Sequence, residues 1–179
     1  MKDYDNQTEA YCNLKHHNNL LRQEIVSKIK SIEPLDEKLF ELKKVFANYE
    51  YDYARVFRQN PAKRLVHVNG QNYLAYCFTG DGVNKPSPTI HLTRVAQCTA
   101  YAVEVKEILS KCNVHSEKIT NWKYCLDIHT KSLKEIGHTY NQVLTPHGQK
   151  FNIDICSDIM IRDAKELDLD INYDLLIPR

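Results

Sequence analysis

The sequence predicts an α+β fold in which N-terminal helices precede a further helix packed on an antiparallel sheet. Three observations predict it. Apolar residues recur at helical spacing from Leu21 to Phe57. An Asn69-Gly70 pair lies between two short alternating runs. Period-two alternation returns at 138–145 and 151–156, around Pro146-His147-Gly148. The change from a period near 3.6 to a period of two is the main signal that separates helix from strand.

Residues 1–17 are polar and weakly periodic, and they predict a flexible leader. From Asn18 or Asn19 to about Ile32, Leu21, Ile25, Val26, Ile29 and Ile32 mark one face of a helix that Pro34 stops. A second helix is expected from Asp36 to Gln59, with Leu39, Leu42, Val45, Phe46, Tyr49, Tyr53 and Phe57 on its stripe. This aromatic stripe reads as core packing. Leu65–Val68 and Asn72–Phe78 predict two strands, because Asn-Gly supplies the two positive φ angles of a type I′ hairpin turn. Residues 79–89 hold two Gly and two Pro and read as a loop, and 79–92 is the expected substrate-gating segment.

A helix is expected from Thr93, with Cys98 in its first half, where the peptide dipoles present their positive end. Residues 113–120 look like a polar connection. Trp122 opens a strand or short helix, and Ser132–Gly137 reads as a turn of helix. His138–Thr145 and Phe151–Cys156 then form strands, and the tail 157–179 is read as irregular or as a short helix. The whole is expected to be a single domain, with 18–60 helical and 61–179 the α+β core.

Composition narrows the function. Lys and Arg number 24 against 23 Asp and Glu, a near-balance that points away from nucleic acid as partner. No run of about 18 apolar residues predicts a membrane span, and the polar start lacks the apolar stretch of a classical signal peptide. The six cysteines are widely and irregularly spaced and form no Cys-x-x-Cys pair, so neither a disulfide framework nor a metal site is expected, and no cofactor is implied.

The residues that carry chemistry occur in the order Cys98, His138, Asp154. A free thiol is mostly protonated at neutral pH, and both a helix N-terminus and an adjacent imidazolium lower its pKa. His138 is the expected base, and Asp154 the group that fixes its tautomer. Antiparallel pairing about Gly148 brings His138 towards Asp154. Asp158 is the alternative acid and His91 the rival base. The Cys98 amide is the first oxyanion donor expected. Gln97, Thr99, Asn72 and Tyr140 are candidates for the oxyanion hole or the substrate cleft, with Asn84 a further donor.

Around these residues, Gln97-Cys98-Thr99-Ala100-Tyr101-Ala102 resembles the nucleophile region of transglutaminase-like and papain-like cysteine hydrolases. His138, Tyr140 and Val143, followed by Phe151, Ile153 and Asp154, resemble the His and Asp strands of those enzymes. The block 93–156 is most similar to bacterial effector glutamine deamidases of the mitogenic-toxin type. The resemblance implies a papain/transglutaminase-like fold and a thioester intermediate formed by the triad. It implies deamidation or transglutamination of a glutamine on a host protein by a protein made in a bacterial cytoplasm and delivered into a host cell. A cysteine protease of the same fold is the second reading, and a non-catalytic protein-interaction module the third.

Overall fold

In the computed structural model, described over residues 2–3, 9–53, 63–77, 86–127, 130–145 and 147–168, helices and strands combine as α+β. In chain order the elements are β1 (Lys2–Asp3), α1 (Glu9–Lys30), α2 (Leu35–Val45), β2 (Glu50–Tyr51), β3 (Lys63–Val68), β4 (Gln71–Tyr76), α3 (Ile90–Thr93) and β5 (Val95–Ala96). They continue with α4 (Cys98–Lys111), β6 (Ser116–Asp127), β7 (Ser132–Leu144), β8 (Lys150–Ile153) and α5 (Ile155–Glu166). The strands form three sheets among the described residues, ordered β1-β4-β3, β2-β5 and β6-β7-β8.

Helix α1 begins at Glu9, well before the Asn18 or Asn19 start that periodicity predicts. The added turns are held by tertiary contact: Leu14 is fully buried, with Tyr11 beside it, against Val66, Val68, Tyr73 and Ala75 of the β3–β4 hairpin. That hairpin has the predicted turn, with φ of 50° at Asn69 and 74° at Gly70.

Helix α2 ends at Val45 rather than continuing to Gln59. A turn at 46–48 follows, and β2 then pairs in parallel with β5 through Glu50↔Val95 and Tyr51↔Ala96. Tyr49, Tyr51 and Tyr53 are all buried. Alternate tyrosines are a strand signal as much as a helical stripe, and aromatic residues favour extended backbone. Residues 54–62 and 78–85 lie outside the described residues. So do residues 79–85 of the expected gating segment, Asn84 among them, and the tail 169–179.

The helix expected from Thr93 is three pieces. The short α3 closes on Arg94 in the left-handed region (φ 54°), β5 follows, and α4 starts at Cys98. The polar connection at 113–120 and the helical turn at 132–137 are instead parts of two long strands. β6 and β7 pair antiparallel from Ser116↔Val143 to Asp127↔Ser132. Ladder pairing over this length satisfies the backbone of segments whose side-chain pattern alone is weak.

β7 then pairs with β8 from Leu144↔Lys150 to Asn141↔Ile153. The predicted strand 151–156 stops at Ile153, because Asp154 caps the helix that follows. The main core joins Ile29 and Leu42, Phe46, the three tyrosines, the inner face of α4, Val143 and Ile153, and Ile155, Ile159 and Met160 of α5. Both α4 and α5 are therefore anchored along their length, which leaves their N-termini at fixed positions beside β7.

Candidate active site

Cys98 is the first residue of α4. Gln97 is its N-cap in extended conformation (φ −103°, ψ 170°), and the Tyr101 amide donates to the Gln97 carbonyl at 3.0 Å. The bridge between β2 and β5 directs this turn: the Glu50 amide donates to the Arg94 carbonyl at 2.8 Å and the Asp52 amide to the Ala96 carbonyl at 2.9 Å. The first amides of a helix have no partner within it, so the Cys98 backbone and thiol sit at a site that favours negative charge.

His138 lies on β7 and is almost fully buried. Its Nε2–H donates to Asp154 Oδ2 at 2.7 Å, which leaves Nδ1 for the thiol. Asp154 follows β8 by one residue. Its Oδ1 accepts from the Ser157 amide at 3.0 Å, and its Oδ2 accepts from the Ser157 hydroxyl at 2.7 Å. The carboxylate that caps α5 is thus the one that holds the imidazole. Ser157 is buried and escaped the sequence reading. The signal was present as an Asp followed three residues later by Ser at the start of an apolar-periodic run, a capping pattern.

The electrostatics form a coupled pair. Burial raises the Cys98 pKa, but hydrogen bonding to His138 and its charge outweigh this. With smaller help from the Thr139 backbone and the Thr99 side chain, they hold the thiol below its ordinary value. Burial likewise lowers the His138 pKa. The hydrogen bonds and charges of Asp154 and Cys98 overcome it and raise His138 to about 9. Each group favours the charged form of the other, so the arrangement stabilises a thiolate–imidazolium pair.

The remaining candidates separate. Tyr140 is buried on the same strand face as His138; its ring lies nearly parallel to the imidazole (21°, centroids 6.3 Å apart), and its hydroxyl accepts from Asn121 Nδ2 at 3.3 Å. Thr99 Oγ1 lies 4.0 Å from Cys98 Sγ and 3.5 Å from Thr139 Oγ1. Gln97 makes no side-chain capping bond. Asn72 is exposed on the β3–β4 hairpin, its amide oxygen 2.9 Å from His67 Nδ1. Asp158 is exposed and pairs with Lys43 at 3.0 Å.

His91 has both ring nitrogens engaged elsewhere, with Glu104 Oε1 at 2.7 Å and the Tyr49 hydroxyl at 2.9 Å. Glu104 also holds Arg22, with Nη2 donating to Oε2 at 2.8 Å, inside the core. This buried polar cluster, which ties α1 and α3 to α4, also went unread. No periodicity distinguishes an inward Glu of a mostly apolar helix from an outward one until its partners are known.

Among the described residues, no group of three His, Cys, Asp or Glu side chains is arranged to hold a metal ion, and no helix is long and apolar enough to cross a membrane.

No family model matches the chain, and no curated protein matches it in sequence. Among solved structures, it is similar to the periplasmic domain of TgpA from Pseudomonas aeruginosa bound to ethylmercury, at a TM-score of 0.49 and 13% identity. The alignment covers 84% of this chain and 49% of that one, so the chain spans about half the length of the protein it matches.

Proposed function

We propose that this protein is a cysteine-dependent acyl-transfer enzyme, with Cys98 as nucleophile, His138 as acid and base, and Asp154 as the group that orients and charges His138. The observation that supports it is the coupled pair. Cys98 opens a helix with its thiol pKa held low, against a histidine raised to about 9 by a carboxylate at 2.7 Å. A buried cysteine without such partners goes the other way, as Cys77 does, where burial pushes the thiol to about 11.

The chemistry follows from these roles. The Cys98 thiolate attacks the carboxamide carbon of a glutamine side chain and forms a C–S bond. The tetrahedral oxyanion is met by the amides at the start of α4. The C–N bond breaks as the His138 imidazolium gives its proton to the leaving nitrogen, and ammonia departs. The neutral imidazole then takes a proton from water, which attacks the thioester; the thiol is restored and glutamate released. An amine in place of water gives transglutamination. A glutamine on a host protein is the proposed acyl donor, on the sequence resemblance alone.

The test is cysteine-resolved alkylation by iodoacetamide across pH, followed by ammonia release from glutamine-bearing proteins and peptides. Preferential labelling of Cys98 below pH 8.5, lost in His138→Ala, is the expected result. Equal, slow labelling of all cysteines would remove the enzymatic reading.

A further inference from the structure

Trp122 is the only tryptophan in the chain, and it is 75% exposed, the most of any large apolar side chain among those described. It is not on a remote surface. In the β6–β7 ladder Trp122 stands directly opposite Gly137, and Asn121 stands opposite His138. Directly opposed residues of an antiparallel pair project to the same face. Trp122 therefore shares a face with Gly137, whose carbonyl oxygen lies 4.0 Å from Cys98 Sγ.

Gly137 itself adds the second observation. A Cβ built there meets nothing within 4 Å, so the indole does not collapse onto its bare cross-strand partner. The same face continues through Thr120 and Thr139, whose hydroxyl oxygens are 3.2 Å apart, to Thr99 at the start of α4. The indole and the bare backbone of Gly137 thus share the sheet face on which Thr139 meets the start of α4, next to Cys98.

We propose that Trp122 is the substrate-positioning residue of this site, and that its indole and the bare backbone at Gly137 form the slot that takes an apolar side chain flanking the reacting carboxamide. This rests on the acyl-transfer reading above. An exposed tryptophan costs solvation of a large apolar surface in the free protein, and an aromatic or aliphatic group laid across Gly137 removes that surface from water. Glycine at 137 keeps the approach free, where any side chain would stand between the incoming chain and the indole.

The test compares two alkylating probes that react at the same thiol: chloroacetamide, and N-chloroacetyl-phenylalanine amide, which adds an aromatic group beside the same electrophile. Labelling of Cys98 by the aromatic probe is expected to saturate. Trp122→Ala is expected to weaken its apparent KI about 10-fold, in line with the truncation of a tryptophan that anchors a ligand, while the limiting rate and the pH midpoint of chloroacetamide labelling stay at wild-type values. Trp122→Phe is expected to restore part of the affinity. In Cys98→Ala, intrinsic fluorescence, which comes from Trp122 alone among tryptophans, is expected to shift on titration with N-acetyl-phenylalanine amide.

If Cys98 reacts fast with chloroacetamide at low pH but the aromatic probe shows no saturation, or Trp122→Ala leaves its KI unchanged, the slot is wrong and the acyl-transfer reading stands. If Cys98 shows no preferential labelling by chloroacetamide, the acyl-transfer reading falls and the slot falls with it.

Discussion

Asp154 and His138 meet at 2.7 Å across the end of β8, at the point where the strand stops pairing and α5 begins. The same carboxylate accepts from the Ser157 amide and hydroxyl, so one side chain caps a helix and charges an imidazole. Its position is fixed by the helix start, and through it the orientation of His138 towards α4 is fixed as well.

Asp154→Asn separates these two tasks. Asparagine is as good an N-cap as aspartate, so the folded structure is expected to persist. The charge that opposes burial is lost, so the His138 pKa falls well below about 9. An NMR titration of the His138 ring in wild type and variant reads this directly. An unchanged midpoint would mean that the carboxylate does not set the imidazole's charge.

His138→Ala is expected to move Cys98 in the opposite direction. Without the imidazolium, burial acts on the thiol with only the Thr139 backbone and Thr99 to oppose it, and the pKa rises. The pH midpoint of Cys98 alkylation should shift upwards, and, on the proposed acyl-transfer reading, ammonia release from a glutamine substrate should fall by about 10²- to 10⁴-fold, the usual contribution of a positioned acid–base group. Ammonia release and labelling kinetics on the same preparations check both.

On the proposed acyl-transfer reading, the upper limb of the activity profile follows from His138. Protonation of the leaving nitrogen needs the imidazolium, which is lost as pH rises through about 9, so kcat/KM should decline there. The same group links pH to stability. A pKa raised from 6.5 to about 9 on folding contributes stability that is complete below about 6.5 and disappears as pH rises through about 9. The stability gap between wild type and His138→Ala, measured by urea unfolding, should therefore be larger at pH 6 than at pH 10.

Glu104→Ala tests the buried cluster that ties α4 to α1 and α3. It leaves Arg22 buried beside an empty position and takes away the partner of His91 Nε2. Removing one member of such a buried pair costs about 3–5 kcal/mol. Leu→Ala changes at exposed Leu65 or Leu167 should cost much less. Equal losses at all three positions, measured by denaturant unfolding, would show that the cluster has no special weight.

Much was legible in the sequence. The α+β class, the Asn69-Gly70 hairpin and a returning strand from His138 follow from local period and turn chemistry, which act over a few residues and need no partner. The approach of His138 to Asp154 follows too, since a short antiparallel connection leaves few registers open. Other features depend on surfaces that exist only after folding. Glu9–His17 becomes helix because Leu14 finds the β3–β4 hairpin. Glu50 and Tyr51 leave the helical stripe because β5 offers a strand to pair with. Asp154 is a cap rather than a strand residue because α5 has a core to pack on, and Trp122 stands beside Gly137 because a 12-residue strand pairs in one register. Local propensity differs by about 1 kcal/mol or less per residue, and long-range burial and backbone pairing decide between conformations that close in energy.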